Sequence, residues 1–202
     1  MPPELQLPFA KSQMIEVPII DPGGSAFLAV GYRMPSVSAT WDKPEAKTDF
    51  VADLVIFHLL SWSRNGLLQR ELVAKGLADE VQIIQFTTLG DVGWVFLCIR
   101  VPKEKLEEAR QALHKVLDGI PQANVSLEDI KTAQQTVKFY FARVMERSTD
   151  RAKFLVSFLG AGLHESFFEE INSLYNDVTI DKVKAAAARN LSNYLLVIGK
   201  PK

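Results

Sequence analysis

Residues 50–60, FVADLVIFHLL, are apolar nearly all the way round a helical wheel. A helix without a solvent face must be buried by other elements on several sides. It cannot escape into a bilayer, because its apolar heart, residues 55–60, is far short of the ~20 residues that span a membrane. The chain therefore has to fold around this helix. With 202 residues, 48% hydrophobic and 23% charged, it has material for one large domain or two small ones.

The flanks say what surrounds the helix. Asn65-Gly66 leads into a second helix over residues 66–75, and Gly76 suits the left-handed position that closes it. Residues 81–88 and 94–101 are rich in β-branched and aromatic side chains and flank Gly90-Asp91, which predicts a hairpin. Upstream, residues 16–20 and 27–34 form two strand candidates around the turn Asp21-Pro22-Gly23-Gly24; they form a hairpin or share one sheet. Residues 35–47 form a polar connection holding Trp41 and Pro44.

Downstream, a helix over 103–117 aligns Leu106, Ala109, Leu113 and Val116 and stops at Gly119 and Pro121. Ser126 and Asp129 have the spacing of a capping box, with Val125 and Ile130 as its hydrophobic staple. The helix they open runs over 127–147 with Ile130, Val137 and Val144 along one face. Thr149 is placed to cap a continuation carrying Ala152, Leu155, Val156 and Leu159, softened by Gly160 and Gly162. Thr179 caps a last helix through Leu191, stapled by Val178 and Val183, and residues 194–198 form a final strand. Hairpin-linked strands with segregated helices imply an α+β fold, a two-layer domain whose mainly antiparallel sheet is covered by helices. Residues 1–15, with Pro2, Pro3 and Pro8, read as an arm or linker, and residues 16–202 as the single domain.

A formal net charge of −1 offers no electrostatic footprint for nucleic acid and disfavours an anionic membrane surface. The opening MPPELQLPFAKSQ lacks the basic and apolar regions of a signal peptide. Cys98 is the single cysteine, so no internal disulfide or Cys-rich zinc module can form; in a strand of this composition it reads as a buried, inert thiol.

Chemistry-bearing motifs are missing by specific residues. His58, His114 and His164 are too far apart in sequence to share a helical metal face. HESFFEE, at 164–170, resembles a zinc motif, but a second imidazole is needed one turn after His164, where Phe168 stands. The inverted H-x-x-E-H fails at both Phe167 and Phe168. Glu165, Glu169 and Glu170 then read as a solvated helix face. Arg143, Arg147 and Arg151 recur at one-turn spacing and form a basic ridge if the helix is continuous, but Glu146 and Asp150 interleave with them. The glycine-rich Pro22-Gly23-Gly24-Ser25 precedes a strand, whereas a phosphate cradle needs a helix N-terminus.

Taken in order, FLAVGYRMPSV, DLVIFHLL, LLQRELVAKGLADEV, KEKLEEARQALHKVL, SLEDIKTAQQTVKFYFARVMERSTDRAKFL and VTIDKVKAAAARNLSNYLLVIGKP resemble the C-terminal type of domain in the insulinase/pitrilysin-like zinc metallopeptidases. The resemblance covers residues 16–201 and includes the mitochondrial processing peptidase branch. It implies repeated α+β domains arranged as two halves around a chamber, one domain carrying zinc on an H-x-x-E-H motif. This chain lacks that motif, so the resemblance implies a non-catalytic domain with no catalytic, cofactor-binding or metal-binding residues of its own. Zinc is then expected in a sister domain or subunit, and a peptide substrate in the parent, a zinc metalloendopeptidase, while the chain alone is not an enzyme. Neither nucleic acid nor membrane is an expected partner, and the compartment stays open.

In the family a domain of the opposite half often supplies an arginine and a tyrosine to the substrate. Aligned on Gly76-Leu77-Ala78, the arginine position is Leu72 and the tyrosine position is Asp79. Arg70 lies two residues early, about 200° around the helix. Two further readings remain: a domain of an inactive, scaffold-type paralogue that binds partner subunits, and a standalone binding module. Both peptidase-family readings predict one exposed apolar or aromatic face, with Trp41 or Trp62 as candidates.

Overall fold

A computed structural model describes residues 11–41, 44–62, 65–86, 92–122, 125–164 and 166–202. Five strands form one sheet: β1 (Gln13–Ile19), β2 (Ala26–Pro35), β3 (Glu80–Phe86), β4 (Val92–Val101) and β5 (Leu195–Pro201). Their order is β1-β5-β2-β4-β3, and every neighbouring pair is antiparallel except β1 with β5. The first two strands thus share a sheet and do not form a hairpin, because β5 lies between them. β1 also starts at Gln13, inside the stretch expected to be an arm, where the Gln13 amide donates to the Tyr194 carbonyl at 2.9 Å. The link between β3 and β4, residues 87–91, lies outside the described residues.

Strand alternation sorts the side chains by face. Leu28, Val30, Tyr32 and Met34 on β2, Val95, Leu97 and Ile99 on β4, and Leu196 and Ile198 on β5 are buried inward. Against this face lie the helices. After α1 (Val37–Thr40), α2 (Pro44–Phe57) passes into a π-helical turn at His58–Trp62. Residues 50–61 are all buried, as an apolar circumference demands. The segment after Gly66 is shorter than expected, a few helical residues ending in a π turn over Gln69–Val73. Gly76 closes it at φ +67°, with the Leu77 amide donating to Leu72 O at 2.8 Å.

α3 (Leu106–Gly119) follows a 3₁₀ turn at Lys103–Lys105. It buries Ala109, Leu113 and Leu117, so its stripe is rotated slightly from the one expected through Val116. α4 (Leu127–Glu146) starts at the Ser126–Asp129 capping box, with hydrogen bonds in both directions. Its face is Ile130, Ala133, Val137 and Phe141, with Val144 half-buried.

α4 does not continue into α5 (Ser148–Gly160). Arg147 stands between them in an extended conformation, φ −94° and ψ 118°. Thr149 therefore lies inside α5 and is not its cap, and no side chain caps that end. Phe158 is buried, while Ala152, Val156 and Leu159, three of the apolar residues of the expected continuation, face solvent. α6 (Phe167–Leu174), a 3₁₀ turn at Tyr175–Asp177 and α7 (Ile180–Asn190) complete the layer. Thr179 caps α7 by accepting from the Lys182 amide at 3.3 Å. Trp41 belongs to the core: its ring centroid lies 4.3 Å from Phe167, so it is not a surface aromatic. The Trp62 side chain lies outside the described residues.

The outer face of the sheet is a second apolar surface. Phe27, Ala29, Trp94, Phe96, Cys98, Leu195 and Val197 are all half-buried, and Ile15 and Ile84 are 46% and 41% exposed. Cys98 is consequently not the buried thiol expected from its strand. Strand period 2 puts it, between Ala29 and Gln82, on the face turned from the helices.

Candidate functional site

The resemblance implies substrate-touching residues at the positions of Leu72 and Asp79. Leu72 is fully buried, and its carbonyl takes the Leu77 and Ala78 amides at 2.8 and 3.2 Å. A side chain there points into the core. Asp79 is exposed, its amide donates to Arg100 O at 2.9 Å, and its carboxylate lies 3.7 Å from the Arg100 guanidinium. Arg70 instead reaches the start of α4, pairing with Asp129 at 2.9 Å. Burial acts to raise the Asp129 carboxyl, but hydrogen bonds from Ser126 and the Arg70 charge outweigh it and hold it below the usual range. Arg70 fastens two helical segments together.

The three histidines are held separately. His58 Nδ1–H donates to the Leu54 carbonyl at 2.8 Å, and burial pushes the ring down to about 4, so it is neutral near pH 7. His114 Nδ1 lies 2.6 Å from the Tyr194 hydroxyl, joining α3 to the entry of β5. His164 lies 3.2 Å from the Ser166 hydroxyl, which donates in turn to Glu170. Of the HESFFEE segment, Phe167 is core and Glu169 is solvated. Glu170 takes Lys47 at 2.5 Å, so it is a clasp from α6 to α2 and more than a solvated face. Glu165 and the Phe168 side chain lie outside the described residues. No group of three His, Cys, Asp or Glu is placed to hold a metal among the described residues. The Arg143, Arg147, Arg151 ridge is interrupted, because Arg147 is the break between α4 and α5.

One polar site was not foreseen. Asp53, in the middle of the apolar helix, is buried and receives Arg189 Nη2 at 3.1 Å and Asn190 Nδ2 at 2.6 Å from α7. A carboxylate inside an apolar run was the available signal, since a buried charge needs a partner. A groove of about 260 Å³ beside His58 is lined by Asn65, Gly66, Arg70, Glu128, Asp129 and Thr132. Its arginine is already engaged by Asp129. What the described surface offers is shape and apolar area on the sheet, with no assembled set of reacting groups.

The profile of a protein family described as the peptidase M16 inactive domain matches residues 2–137. The chain belongs to that family. Solved structures agree with this M16 inactive domain at the level of fold. A protease from Helicobacter pylori is 19% identical with a TM-score of 0.78, over 95% of this chain and 45% of that one. The inactive peptidase domain of a protein named as a zinc protease, from Bordetella parapertussis, is 20% identical, with a TM-score of 0.72 over 91% and 95% of the two chains. Complex III2 from Candida albicans contains a chain 8% identical with a TM-score of 0.72, covering 93% of this chain and 45% of that one. The M16 inactive domain thus spans under half the length of the Helicobacter protease. No curated protein sequence matches it.

Proposed function

We propose that this M16 inactive domain is a structural, chamber-forming part of a zinc-dependent metalloendopeptidase. It contributes wall and support for a peptide that a zinc-bearing sister domain hydrolyses. The observation that carries the reading is the outer sheet face, where Phe27, Trp94, Phe96, Val197 and Ile84 form a broad apolar surface on a domain whose helices lie on the other side. Such a surface on a soluble domain is the mark of an interface. A sister domain is its occupant, because a chain of this fold can be about twice as long. On this reading the metal, and the water it would activate, would lie in the sister domain.

The test joins this chain to the sister domain or subunit of its parent, and measures zinc content and peptide cleavage. The pair should hold zinc and cleave, while this chain alone does neither. Replacing Phe96 or Ile84 by Lys should separate the two domains without unfolding this one. A sister domain lacking H-x-x-E-H, or a zinc-free inactive pair, would remove the peptidase reading. It would favour a scaffold-type paralogue that binds partner subunits, a reading supported by the likeness to a chain of complex III2.

A further inference from the structure

β1 is an edge strand, with β5 on one side and, among the described residues, no strand on the other. Main-chain groups along a strand alternate between its two sides. The Gln13 amide donates to Tyr194 O at 2.9 Å, and Ile19 O accepts from the Lys202 amide at 3.1 Å. The odd-numbered residues of β1 are therefore the ones bonded to β5. Met14 and Glu16 turn their N–H and C=O groups outward, an unfilled template for one more strand. Pro18, next in that series, has no N–H and closes the edge beyond Glu16. Helix α3 supplies a second wall beside the open length. The groove between them, about 380 Å³, has an apolar floor of Met14, Leu106 and Ile198. Met14 is 58% exposed. The charges on its walls engage one another: Lys200 reaches Glu16 at 2.6 Å, and Arg110 reaches Glu107 at 2.5 Å.

We propose that this groove binds a free, extended peptide as a short strand antiparallel to β1. Main-chain bonds to Met14 and Glu16 would hold it, and alternate side chains would select it. In an antiparallel pair, the residues directly opposite Met14 and Glu16 exchange both hydrogen bonds with them and share their side of the sheet. Those two side chains enter the groove. They are apolar, because the floor is apolar and an incoming charge would have to displace a member of an existing ion pair. The shortness of the open edge chooses the source of the ligand. A strand of a folded domain runs straight on and meets Pro18, which has no donor to offer, whereas a free peptide bends away after Glu16.

The test titrates the 202-residue chain with the capped peptide Ser-Thr-Leu-Thr-Leu-Thr-Ser and follows backbone amides by NMR. Saturable binding with a Kd below roughly 1 mM is expected. Amide exchange should slow at Met14 and Glu16, while Ile15 and Val17, already bonded to β5, should not change. N-methylation of both leucines removes the donors facing β1 and should weaken binding about tenfold or more. N-methylation of the threonine between them, whose N–H faces solvent, should leave it intact. Glu16→Pro removes an outward N–H that β5 does not use, and should abolish binding. Should that variant fail to fold, the methylated peptides decide the matter on the unaltered chain. The proposal is overturned by no binding at roughly 1 mM peptide, by indifference to leucine methylation, or by protection on β3, the opposite edge. It is equally overturned if Met14 and Glu16 gain protection only in complex with a sister domain, since the edge would then take a folded partner's strand. Neither zinc nor cleavage enters the test, so its outcome is separate from that of the proposed function.

Discussion

Arg189 on α7 and Asp53 on α2 are joined at 3.1 Å, with the carboxylate buried and the guanidinium partly in solvent. Burial pushes the Asp53 carboxyl up to about 7, with Asp49 adding to it, against the lowering effects of Arg189 and Asn190. Its folded pKa is raised above the unfolded value, so the stability it contributes is complete below about pH 4 and lost as pH rises through 7. Denaturant titrations should show the domain losing about 2–3 kcal/mol between pH 5 and pH 8 from this group. Asp53→Asn should flatten that slope. A stability that climbs over the same interval would mean that Asp53 is ionised and that the ion pair dominates.

The buried position of Leu72 makes the family's substrate arginine impossible to reinstall here. Leu72→Arg would push a guanidinium into the core beneath the Gly76 turn, at a cost of more than ~3 kcal/mol. Asp79→Tyr, by contrast, falls on an exposed residue whose ion pair with Arg100 is solvent-screened, and should change stability by less than ~0.5 kcal/mol. Urea midpoints of the two variants separate these cases. A well-folded Leu72→Arg would show that this turn can open toward a chamber.

Where local chemistry decides, the sequence was enough. The Ser126–Asp129 box, the Thr179 cap, the Gly76 stop and the apolar circumference of residues 50–60 each have one physical solution, and each appears in the structure. Long-range placement was not legible. Nothing local tells β5 to insert between β1 and β2, because strand order follows from packing the whole sheet. A β-branched and aromatic strand such as β4 reads alike whether one face or both are covered, so its composition puts Cys98 in the core although it lies on the outer face. The exposure of Val156 and Leu159 on α5 was not legible either, because an apolar side chain on a helix does not say whether another element covers it. For the site, the missing imidazole partner after His164 was readable, but the Asp53 clasp depends on α7, far along the chain.

Gly76 offers a clean measure of backbone strain. A Cβ added there meets nothing within 4 Å, so the φ of +67° alone sets the cost of substitution. Gly76→Ala should destabilise by roughly 1 kcal/mol, comparable with about 1 kcal/mol for Ser126→Ala at the α4 cap. Gly76→Asn should recover part of the loss, because asparagine tolerates the left-handed region. Equal stability of the alanine and glycine forms would mean that the turn relaxes to negative φ.

Cys98 reports whether the outer sheet face is open. It is half-buried between Ala29 and Gln82, and burial raises its thiol above the ordinary value. The thiolate is the reactive form, so labelling by a disulfide reagent should be slow near neutrality and quicken as pH rises. It should nonetheless go to completion on the folded chain, without denaturant. Docking of the proposed sister domain over Trp94 and Phe96 would then shut the reagent out. A labelling time course with and without that domain makes the comparison. Protection in the complex, relieved by Ile84→Lys, is expected if the sheet is the interface. A thiol that labels equally fast in both states would move the docking surface away from the sheet, and one that needs denaturant in the free chain would show that the face is closed already.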